Sequence, residues 1–379
     1  MITRRNRTKL SAVIGAVCAM TMTLTAHSGT ASARTEDHAA TLAALRALQA
    51  SAGPGAAVHA GAAGDDWTLS VGTGTYGADR PIKQDEHFLV GSQTKSFTAT
   101  VVLQLVDEGR VALDTPVETY LPGLVTGNGH DGTRITVRHL LQHTSGIASY
   151  SPGIPGSVMV QPPRNPDGTY DPRDVVRTGL SSGPVSVPGA SFTYSNTNYV
   201  ILGLLVEAVT GAPAREAVQS RVIEPLGLTG TSFPAPGDRT LPLPAVTGHH
   251  GVRLGGFYLW YPAAILDPSL YGSAGAMVST MEDVTTFYTS LLGGELVSSA
   301  SLAEMMDAAD SGAGLGLSAR QLSCGVTAWG HSGAMPGYFS YTLVTKDGRH
   351  ASAMTNVMFQ FNTPSPQMLK VVDSAICEG

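Results

Sequence analysis

Apolar side chains recur at helical spacing in some stretches and alternate with polar ones in others, which predicts a mixture of helices and strands. Leucines three residues apart, from Leu42 to Leu48, predict an N-terminal helix that ends near Gly53. Strand-like runs at 57–60 and 67–71 follow this helix. These patterns predict a helix followed by two strands between about residues 42 and 71.

The stretch LVGSQTKSFTATVVLQLVDEG predicts one strongly apolar helix. Its apolar positions from Phe97 to Val106 recur at helical spacing, and Gly109 stands where a helix C-terminus favours glycine. We expect Ser92 in the first turn of this buried helix. Lys95 is expected one turn later on the same face.

Residues 111–269 predict mostly helices and loops, whereas the chain before and after them predicts a sheet with helices. The later chain predicts helices at 281–292 and 301–308, followed by strands at 315–318, 325–330, 338–345 and 351–357. A closing helix is predicted at 367–376. The predicted fold class is α/β in the broad (α+β) sense, with an antiparallel sheet flanked by helices. An α/β lobe of residues 34–110 and 270–379 and a mostly helical lobe of 111–269 are expected.

The first 33 residues are typical of a secretory signal peptide. A basic start from Arg4 to Lys9 precedes an apolar stretch, and Ala31-Ser32-Ala33 matches a cleavage site. Arg4-Arg5 lacks the following apolar pair of a twin-arginine signal, so general secretion is favoured. No second long apolar run is found, and a secreted protein without a membrane span is expected.

Composition narrows the classes of function. Apolar residues make up 42% and charged residues 14% of the 379 residues, which indicates a packed globular protein. The net charge is −6, and removal of the signal takes away four positive charges, which leaves −10. Such an acidic protein is not expected to bind nucleic acid.

Cysteine usage fits an exported protein. Cys18 lies in the signal, and Cys324 and Cys377 remain as a pair. We predict a disulfide between them that ties the last helix to a core strand, worth roughly 4 kcal/mol by loop entropy. The alternative is two separate buried thiols.

Three short motifs carry candidate chemistry. Ser92 and Lys95 form S-x-x-K, and a helix N-terminus there would favour an oxyanion while burial lowered the lysine pKa. Tyr194 and Asn196 form Y-x-N before a helix. His331 opens H-S-G after a strand run, at an expected sheet edge. Each motif alone is common, but the three in this order are specific.

The third motif contains a glycine, Gly333, which would allow a ligand to approach the strand closely. In order along the chain, VGSQTKSF, VLQLVDEG, TYLPGL, ITVRHLLQHTSG, YSNTNY, SAGAMVST, LSCG and GHSG resemble the serine penicillin-recognising family. The resemblance is greatest to secreted serine D-alanyl-D-alanine carboxypeptidases, which are related to class C β-lactamases. It implies a catalytic groove between an α/β lobe and an all-helical lobe.

The resemblance implies a role for each matched residue. Ser92 would attack a carbonyl to form an acyl-enzyme, and Lys95 and Tyr194 would handle its proton. The Lys95 ammonium is expected to favour phenolate character in Tyr194, with the division of the proton left open. Asn196 would bind the substrate amide carbonyl, and His331 would pass a proton to the leaving group.

The remaining matches concern substrate binding. Ser332 would bind a substrate carboxylate, and the N–H groups of Ser92 and Ala334 would form an oxyanion hole worth about 3 kcal/mol per donor. The related carboxypeptidases carry threonine at the position of Ala334 and arginine at that of Ser318, with Arg320 nearby but displaced. Recognition of a free C-terminal D-residue is therefore in question. No metal or cofactor is required.

Several activities stay open. The first hypothesis is a D-alanyl-D-alanine carboxypeptidase acting on peptidoglycan stem peptides and inhibited by β-lactams. The second is an esterase, a D-amino-acid amidase or endopeptidase, or a class C-like β-lactamase. The third is a silent penicillin-binding module, which the intact motifs oppose. The expected partner is a peptide or small-molecule acyl substrate, and a monomer is expected.

Other motifs are set aside. The G-x-S-x-G of residues 179–183 lacks a preceding buried strand and runs into Pro184, so it is not favoured as a nucleophile elbow. His143 is interpreted as a structural loop residue. His249 and His250 lack a third metal ligand, which favours a solvent-exposed loop.

Overall fold

The computed structural model describes residues 38–62, 64–151, 157–254, 257–308, 312–358 and 365–378. The predicted signal peptide of residues 1–33, with Cys18, lies outside the described residues. Helices α1 to α11 span Ala39–Ala52, Thr94–Asp107, Val117–Tyr120, Val137–Leu141, Pro172–Gly179, Asn196–Thr210, Ala214–Val218, Glu224–Leu226, Met281–Leu292, Ser299–Met306 and Ser365–Cys377. Strands β1 to β12 span Gly55–Ala62, Asp65–Gly72, Phe88–Leu89, Thr126–Gly127, His130–Asp131, His249–Leu254, Phe257–Pro262, Val278–Ser279, Ser318–Gln321, Thr327–Met335, Tyr338–Thr345 and His350–Thr355.

Six of these strands form one antiparallel sheet in the order β2-β1-β12-β11-β10-β9. The first two strands and the last four are separated by more than 240 residues of sequence, which include α2 to α10. This arrangement confirms the predicted fold class, an antiparallel sheet with helices. Long-range pairing of β1 with β12 joins the two ends of the described chain.

Both faces of the sheet are covered. Alternation along β1 sends Val58 and Ala60 to the face that α1 and α11 cover, where Leu45 and Val372 pack against them. Ala57 belongs to the other face, whose core continues through α2, α6 and α9. The sheet is therefore a rigid layer between two apolar cores, and α2 is held in the larger one.

The strand boundaries near the third motif differ from the prediction. The predicted strand at 315–318 is a turn, and β9 begins only at Ser318. Gly316 has a φ of +79°, and a Cβ there would lie 2.4 Å from that of Ala99 on α2. Close packing on α2 thus fixes a left-handed turn where the apolar run suggested a strand.

The strand β10 is longer than predicted, because it runs on through His331 to Met335. Pairing with β9 ends at Gly330, so the edge of β10 on the β9 side is left open beyond that residue. The H-S-G motif therefore lies inside the strand, not after it. The expectation of a sheet edge holds for this half of β10.

The hairpin β6–β7 corrects a second expectation. His249 and His250 do not lie in an exposed loop, since both belong to β6. His249 is buried, its backbone N–H donates to the Asn356 carbonyl, and its ring lies 5.8 Å from that of Tyr76.

The predicted disulfide is present. Cys324 and Cys377 are bonded, with Cα atoms 5.6 Å apart and a sequence separation of 53 residues. Cys324 lies in the turn between β9 and β10, so the bond ties α11 to a turn and not to a core strand. Cys377 is the last residue of α11.

The helices in the described ranges are too short to span a membrane individually. None of them is, singly, long and apolar enough to cross a bilayer. Asn196–Thr210 and Ala214–Leu226 together reach the length and composition, but they meet at an angle of 78°.

Candidate active site

Two glycines bring Ser92 against the open edge of β10. Ser92 lies in a single 3₁₀ turn, Gly91–Gln93, directly before α2. Gly91 has a φ of +56°, and a Cβ there would lie 2.8 Å from the Ala334 nitrogen. A Cβ at Gly333 would lie 1.9 Å from the Val90 carbonyl oxygen.

These contacts give Gly333 a role different from the predicted one. The sequence suggested that this glycine lets a ligand approach, but the atom that approaches it is the backbone oxygen of Val90. Because neither Gly333 nor Gly91 carries a side chain, β10 and the turn of Ser92 can approach each other closely. This approach places the Ala334 nitrogen beside the turn that carries Ser92. This is the arrangement that two backbone donors around one carbonyl oxygen would need.

The Lys95 amine lies at the centre of the site. Its Nζ is 3.1 Å from Ser92 Oγ, 2.7 Å from Asn196 Oδ1 and 2.6 Å from the carbonyl oxygen of Ala274. The side chain is fully buried, and this burial holds the pKa of Lys95 well below its usual range. The fold thus favours a neutral amine beside the serine hydroxyl.

The hydrogen-bond partners of Lys95 determine what a neutral amine does there. The oxygens of Asn196 and Ala274 can only accept, so they use two N–H groups. A neutral amine has two such donors and one lone pair. The lone pair is then directed to Ser92 Oγ, where it can accept the hydroxyl proton.

Tyr194 adjoins both groups. Its ring centroid lies 5.0 Å from Lys95 Nζ, and its phenol hydrogen-bonds the Ser92 hydroxyl. Burial raises the pKa of Tyr194, and the hydrogen bond with Ser92 offsets this only in part. Burial therefore acts against the expected phenolate character of Tyr194 in the free protein, since it favours the neutral form of both side chains.

A residue outside the three motifs positions this tyrosine. The Ser195 N–H donates to His143 Nδ1 at 3.1 Å, and the Thr193 N–H donates to the His143 carbonyl at 2.8 Å. The His143 ring lies 4.4 Å from that of Tyr194. His143 also takes a φ of +59°, which few residues other than glycine adopt. Its interpretation as a structural loop residue agrees with these contacts.

Asn196 is oriented by Lys95. It begins α6, and its backbone N–H donates to Ser149 Oγ at 3.3 Å. Because an ammonium or amine donor faces the side chain, the amide oxygen must point to Lys95 and the NH₂ group elsewhere. The NH₂ group is thereby available to donate to a substrate carbonyl.

His331 completes the group. Its ring lies 6.4 Å from that of Tyr194, and its Nδ1 is 2.5 Å from the Ser332 carbonyl oxygen. Burial first, and then the charges of Lys95 and Arg320, lower the pKa of His331 to about 4. A neutral ring that donates from Nδ1 carries a free lone pair at Nε2.

The residues considered for carboxylate binding lie on the opposite face of β10. Ser332 pairs across the sheet with Tyr341, and Arg320 pairs with Ala328, four residues before Ser332. The exposed Arg320 side chain extends back and hydrogen-bonds the Tyr341 hydroxyl. Arg320 and Ser332 therefore lie on the same face of the sheet, and both adjoin Tyr341.

Two further positions, Ser318 and Ala334, lie on the neighbouring strands β9 and β10. Ser318 pairs with Gly330, two residues nearer to the site along the strand than Arg320, and Ala334 is exposed near the end of β10. Neither side chain offers a positive charge, and Ala334 has no hydroxyl. What remains at Ala334 is its backbone nitrogen.

Comparison with known proteins identifies the family of this chain. The Beta-lactamase family model matches residues 17–367. Penicillin-binding protein 4 of Amycolatopsis lactamdurans is 32% identical over 80% of this chain and 81% of its own length. The crystal structure of a D-stereospecific amidohydrolase from Streptomyces sp. is 38% identical, covers 88% of this chain and 98% of its own, and superposes with a TM-score of 0.77.

A second solved structure shares the fold. The D-amino acid amidase of Ochrobactrum anthropi SV3, complexed with D-phenylalanine, is 23% identical, covers 89% of this chain and 98% of its own, and has a TM-score of 0.74. The match of the family model over most of the chain, together with the geometry around Ser92, leads to one conclusion. The chain belongs to the β-lactamase family of serine hydrolases.

Proposed function

We propose that this serine hydrolase cleaves amide bonds whose acyl part is a D-amino-acid residue, through an acyl-enzyme at Ser92. The observation that carries the proposal is the buried Lys95 amine, whose Nζ lies 3.1 Å from Ser92 Oγ and within hydrogen-bond distance of the Asn196 and Ala274 oxygens. The 38% identity with a D-stereospecific amidohydrolase supports the choice of substrate class.

In the proposed acylation, Ser92 Oγ attacks the substrate carbonyl carbon and its proton passes to Lys95. The N–H groups of Ser92 and Ala334 receive the oxyanion, each contributing about 3 kcal/mol to the transition state. The proton then reaches the leaving amine through Tyr194, whose phenol adjoins Ser92. The C–N bond breaks, and the amine departs.

Deacylation reverses the proton movements. A water molecule gives a proton to the same base and attacks the ester carbonyl, which releases the acid and restores the Ser92 hydroxyl. Asn196 would hold the substrate amide carbonyl through its free NH₂ group. The neutral His331 would keep the hydrogen bonding around Tyr194 in one arrangement across the physiological pH range.

A D-alanyl-D-alanine carboxypeptidase is the second candidate. Its substrate ends in a free carboxylate, whereas the side chains of Ser332 and Arg320 lie on the face of the sheet opposite to His331, and Arg320 hydrogen-bonds Tyr341. Ala334 offers that carboxylate no hydroxyl, and Ser318 offers it no positive charge. An amide or a longer peptide needs no such contact, so these two positions favour the amidase.

A substrate panel separates the two. We expect faster release of ammonia from D-phenylalanine amide than of D-alanine from a diacetyl-L-Lys-D-Ala-D-Ala peptide, with the L-amide inert. The double variant Ala334→Thr, Ser318→Arg should raise D-alanine release selectively. Faster cleavage of the diacyl peptide by the unmodified protein would overturn the preference, and turnover of neither substrate would point to an esterase or a β-lactamase.

The proposal also includes the export of the protein and its oligomeric state. We propose secretion after cleavage near Ala33, supported by the basic and apolar pattern of residues 1–33. A monomer remains the expectation. Mass spectrometry of the secreted product and light scattering of the purified protein test these two points.

A further inference from the structure

A cluster of metal-ligating side chains lies on the half of the sheet away from Ser92. One nitrogen of His59, one of His350 and one oxygen of Asp66 lie within 4.8 Å of one another. We propose that these three side chains bind one divalent transition-metal ion, with Zn²⁺ as the first candidate. Two imidazoles and one carboxylate are a common protein ligand set for Zn²⁺.

The register of the sheet builds this cluster around a glycine. Gly61 on β1 pairs with Asp66 on β2 and with His350 on β12. A Cβ at Gly61 would lie 2.3 Å from Asp66 Oδ1. The missing side chain therefore lets the carboxylate and the imidazole meet above β1, and His59, two residues earlier, projects from the same face.

Hydrogen bonds orient both rings and leave Nε2 of His350 without a partner, while the His59 ring also hydrogen-bonds the Trp67 backbone. Nδ1 of His350 is 3.1 Å from the Gly348 carbonyl oxygen, and Nδ1 of His59 is 3.1 Å from Thr68 Oγ1. Such second contacts fix the tautomer of metal-binding histidines and direct Nε2 to the ion. The histidine side chains of this site are thus already oriented.

The space between His350 and Asp66 has the size that an ion requires. His350 Nε2 is buried and makes no hydrogen bond, although Asp66 Oδ1 lies 3.1 Å away. Two ligands each about 2.0–2.1 Å from a tetrahedral Zn²⁺ lie about 3.3 Å apart. An ion between them would satisfy both atoms with almost no movement of either side chain.

Charge and access also favour a cation here. The Asp66 side chain is 42% exposed, so an ion can enter from solvent and exchange a water for the carboxylate. A water molecule would complete four-coordination.

The position of the site indicates its effect. His331, Thr342, Ser352 and His59 form one row across four neighbouring strands. Strands are about 4.8 Å apart, which places the His59 and His331 Cα atoms about 14 Å from each other. An ion at His59 cannot reach the substrate carbonyl, so it would join β1, β2 and β12 and stabilise the fold without changing turnover.

Titration with ZnCl₂ tests the proposal on the mature chain without a polyhistidine tag, after removal of metals. We expect one Zn²⁺ per chain by calorimetry and a higher Tm in its presence. His59→Gln and His350→Gln should each weaken binding at least about tenfold. His250→Gln, in the hairpin β6–β7, is the matched control and should bind as the unmodified protein does.

Two outcomes would overturn the proposal: a stoichiometry near zero, or an affinity that neither cluster variant changes. If either variant fails to fold, Co²⁺ bound to the unmodified protein decides. Intense visible d–d bands would support a four-coordinate nitrogen and oxygen site, and their absence would refute it. Amide hydrolysis should be equal with and without Zn²⁺, so an inactive protein would contradict only the proposed function.

Discussion

The Lys95 amine donates to Asn196 Oδ1 at 2.7 Å, and this bond joins the helix that follows the nucleophile to the helix that follows Tyr194. A carbonyl oxygen accepts the bond without offering a negative charge. Lys95 is therefore buried beside a neutral acceptor, which allows its pKa to fall. The identity of Asn196 thus bears directly on the proton that Ser92 must lose.

Asn196→Asp tests this relationship. A carboxylate beside Nζ should raise the pKa of Lys95 and hold it as an ammonium. We expect kcat/KM at pH 7 to fall by about tenfold or more, with part of the loss recovered as the pH rises towards 10. The pH profile of amide hydrolysis measures this. Asn165→Asp, on an exposed loop, is the control and should leave the profile unchanged.

His331 gives a prediction for stability against pH. The unfolded chain protonates this histidine at its ordinary pKa of 6.5, whereas the folded chain does so only near 4. Between these values the unfolded state binds more protons, so the free energy of unfolding should fall as the pH falls from 6.5 to 4. His331→Gln should remove about 3 kcal/mol of that fall.

Urea denaturation of both proteins at pH 7 and pH 4 measures the difference. The comparison isolates His331 because the other histidines are common to both proteins. An equal loss of stability in the two proteins would show that His331 titrates normally in the folded state. A neutral His331 also predicts no change of kcat/KM near pH 6.5 from this residue.

Gly333→Ala tests the contact between β10 and the turn of Ser92. The new Cβ would lie 1.9 Å from the Val90 oxygen, so the strand must move and carry the Ala334 nitrogen with it. We expect a loss of about 1–3 kcal/mol in stability and at least about a hundredfold in kcat. Gly183→Ala, where the nearest atom is 3.4 Å away, should change neither.

The disulfide gives a prediction for folding. Cys324→Ser together with Cys377→Ser should lower the free energy of unfolding by roughly 4 kcal/mol, because the unfolded chain regains the freedom of a loop closed over 53 residues. Guanidinium denaturation measures the loss. Activity under native conditions should survive, and an unchanged midpoint would contradict the expected contribution.

Local patterns predicted much of this molecule. Leucine spacing gave α1, the apolar run after Ser92 gave α2, and the predicted bounds of α9 agree with Met281–Leu292. The order of the three motifs also indicated the residues that now lie together. These features depend on periodicity and on residue type, which the sequence displays directly.

Contacts made by backbone atoms of residues far apart in the chain could not be predicted from the sequence. The Ala274 carbonyl binds Lys95 across 179 residues, and a backbone oxygen carries no signature in the sequence. The approach of Val90 to Gly333 likewise depends on how β10 packs against the turn of Ser92, so residue type alone predicts a ligand contact at this glycine. Burial of Tyr194, which reversed its expected pKa shift, follows from packing with His143.

The hairpin β6–β7 was missed although a signal existed. Gly255-Gly256 separates two runs that contain β-branched and aromatic residues, which is typical of a tight hairpin. The metal-ligating cluster had no such signal. His59 and His350 are 291 positions apart, and only the pairing of β1 with β12 brings them together.

Acyl-enzyme trapping tests the central assignment most directly. The protein is incubated with D-phenylalanine p-nitroanilide or with benzylpenicillin, quenched in acid, digested and mapped by mass spectrometry. We expect the acyl mass on the peptide that contains Ser92, and none in Ser92→Ala. An acyl group on another residue, such as Ser181 in the G-x-S-x-G segment, or turnover by Ser92→Ala at the unmodified rate, would contradict the assignment.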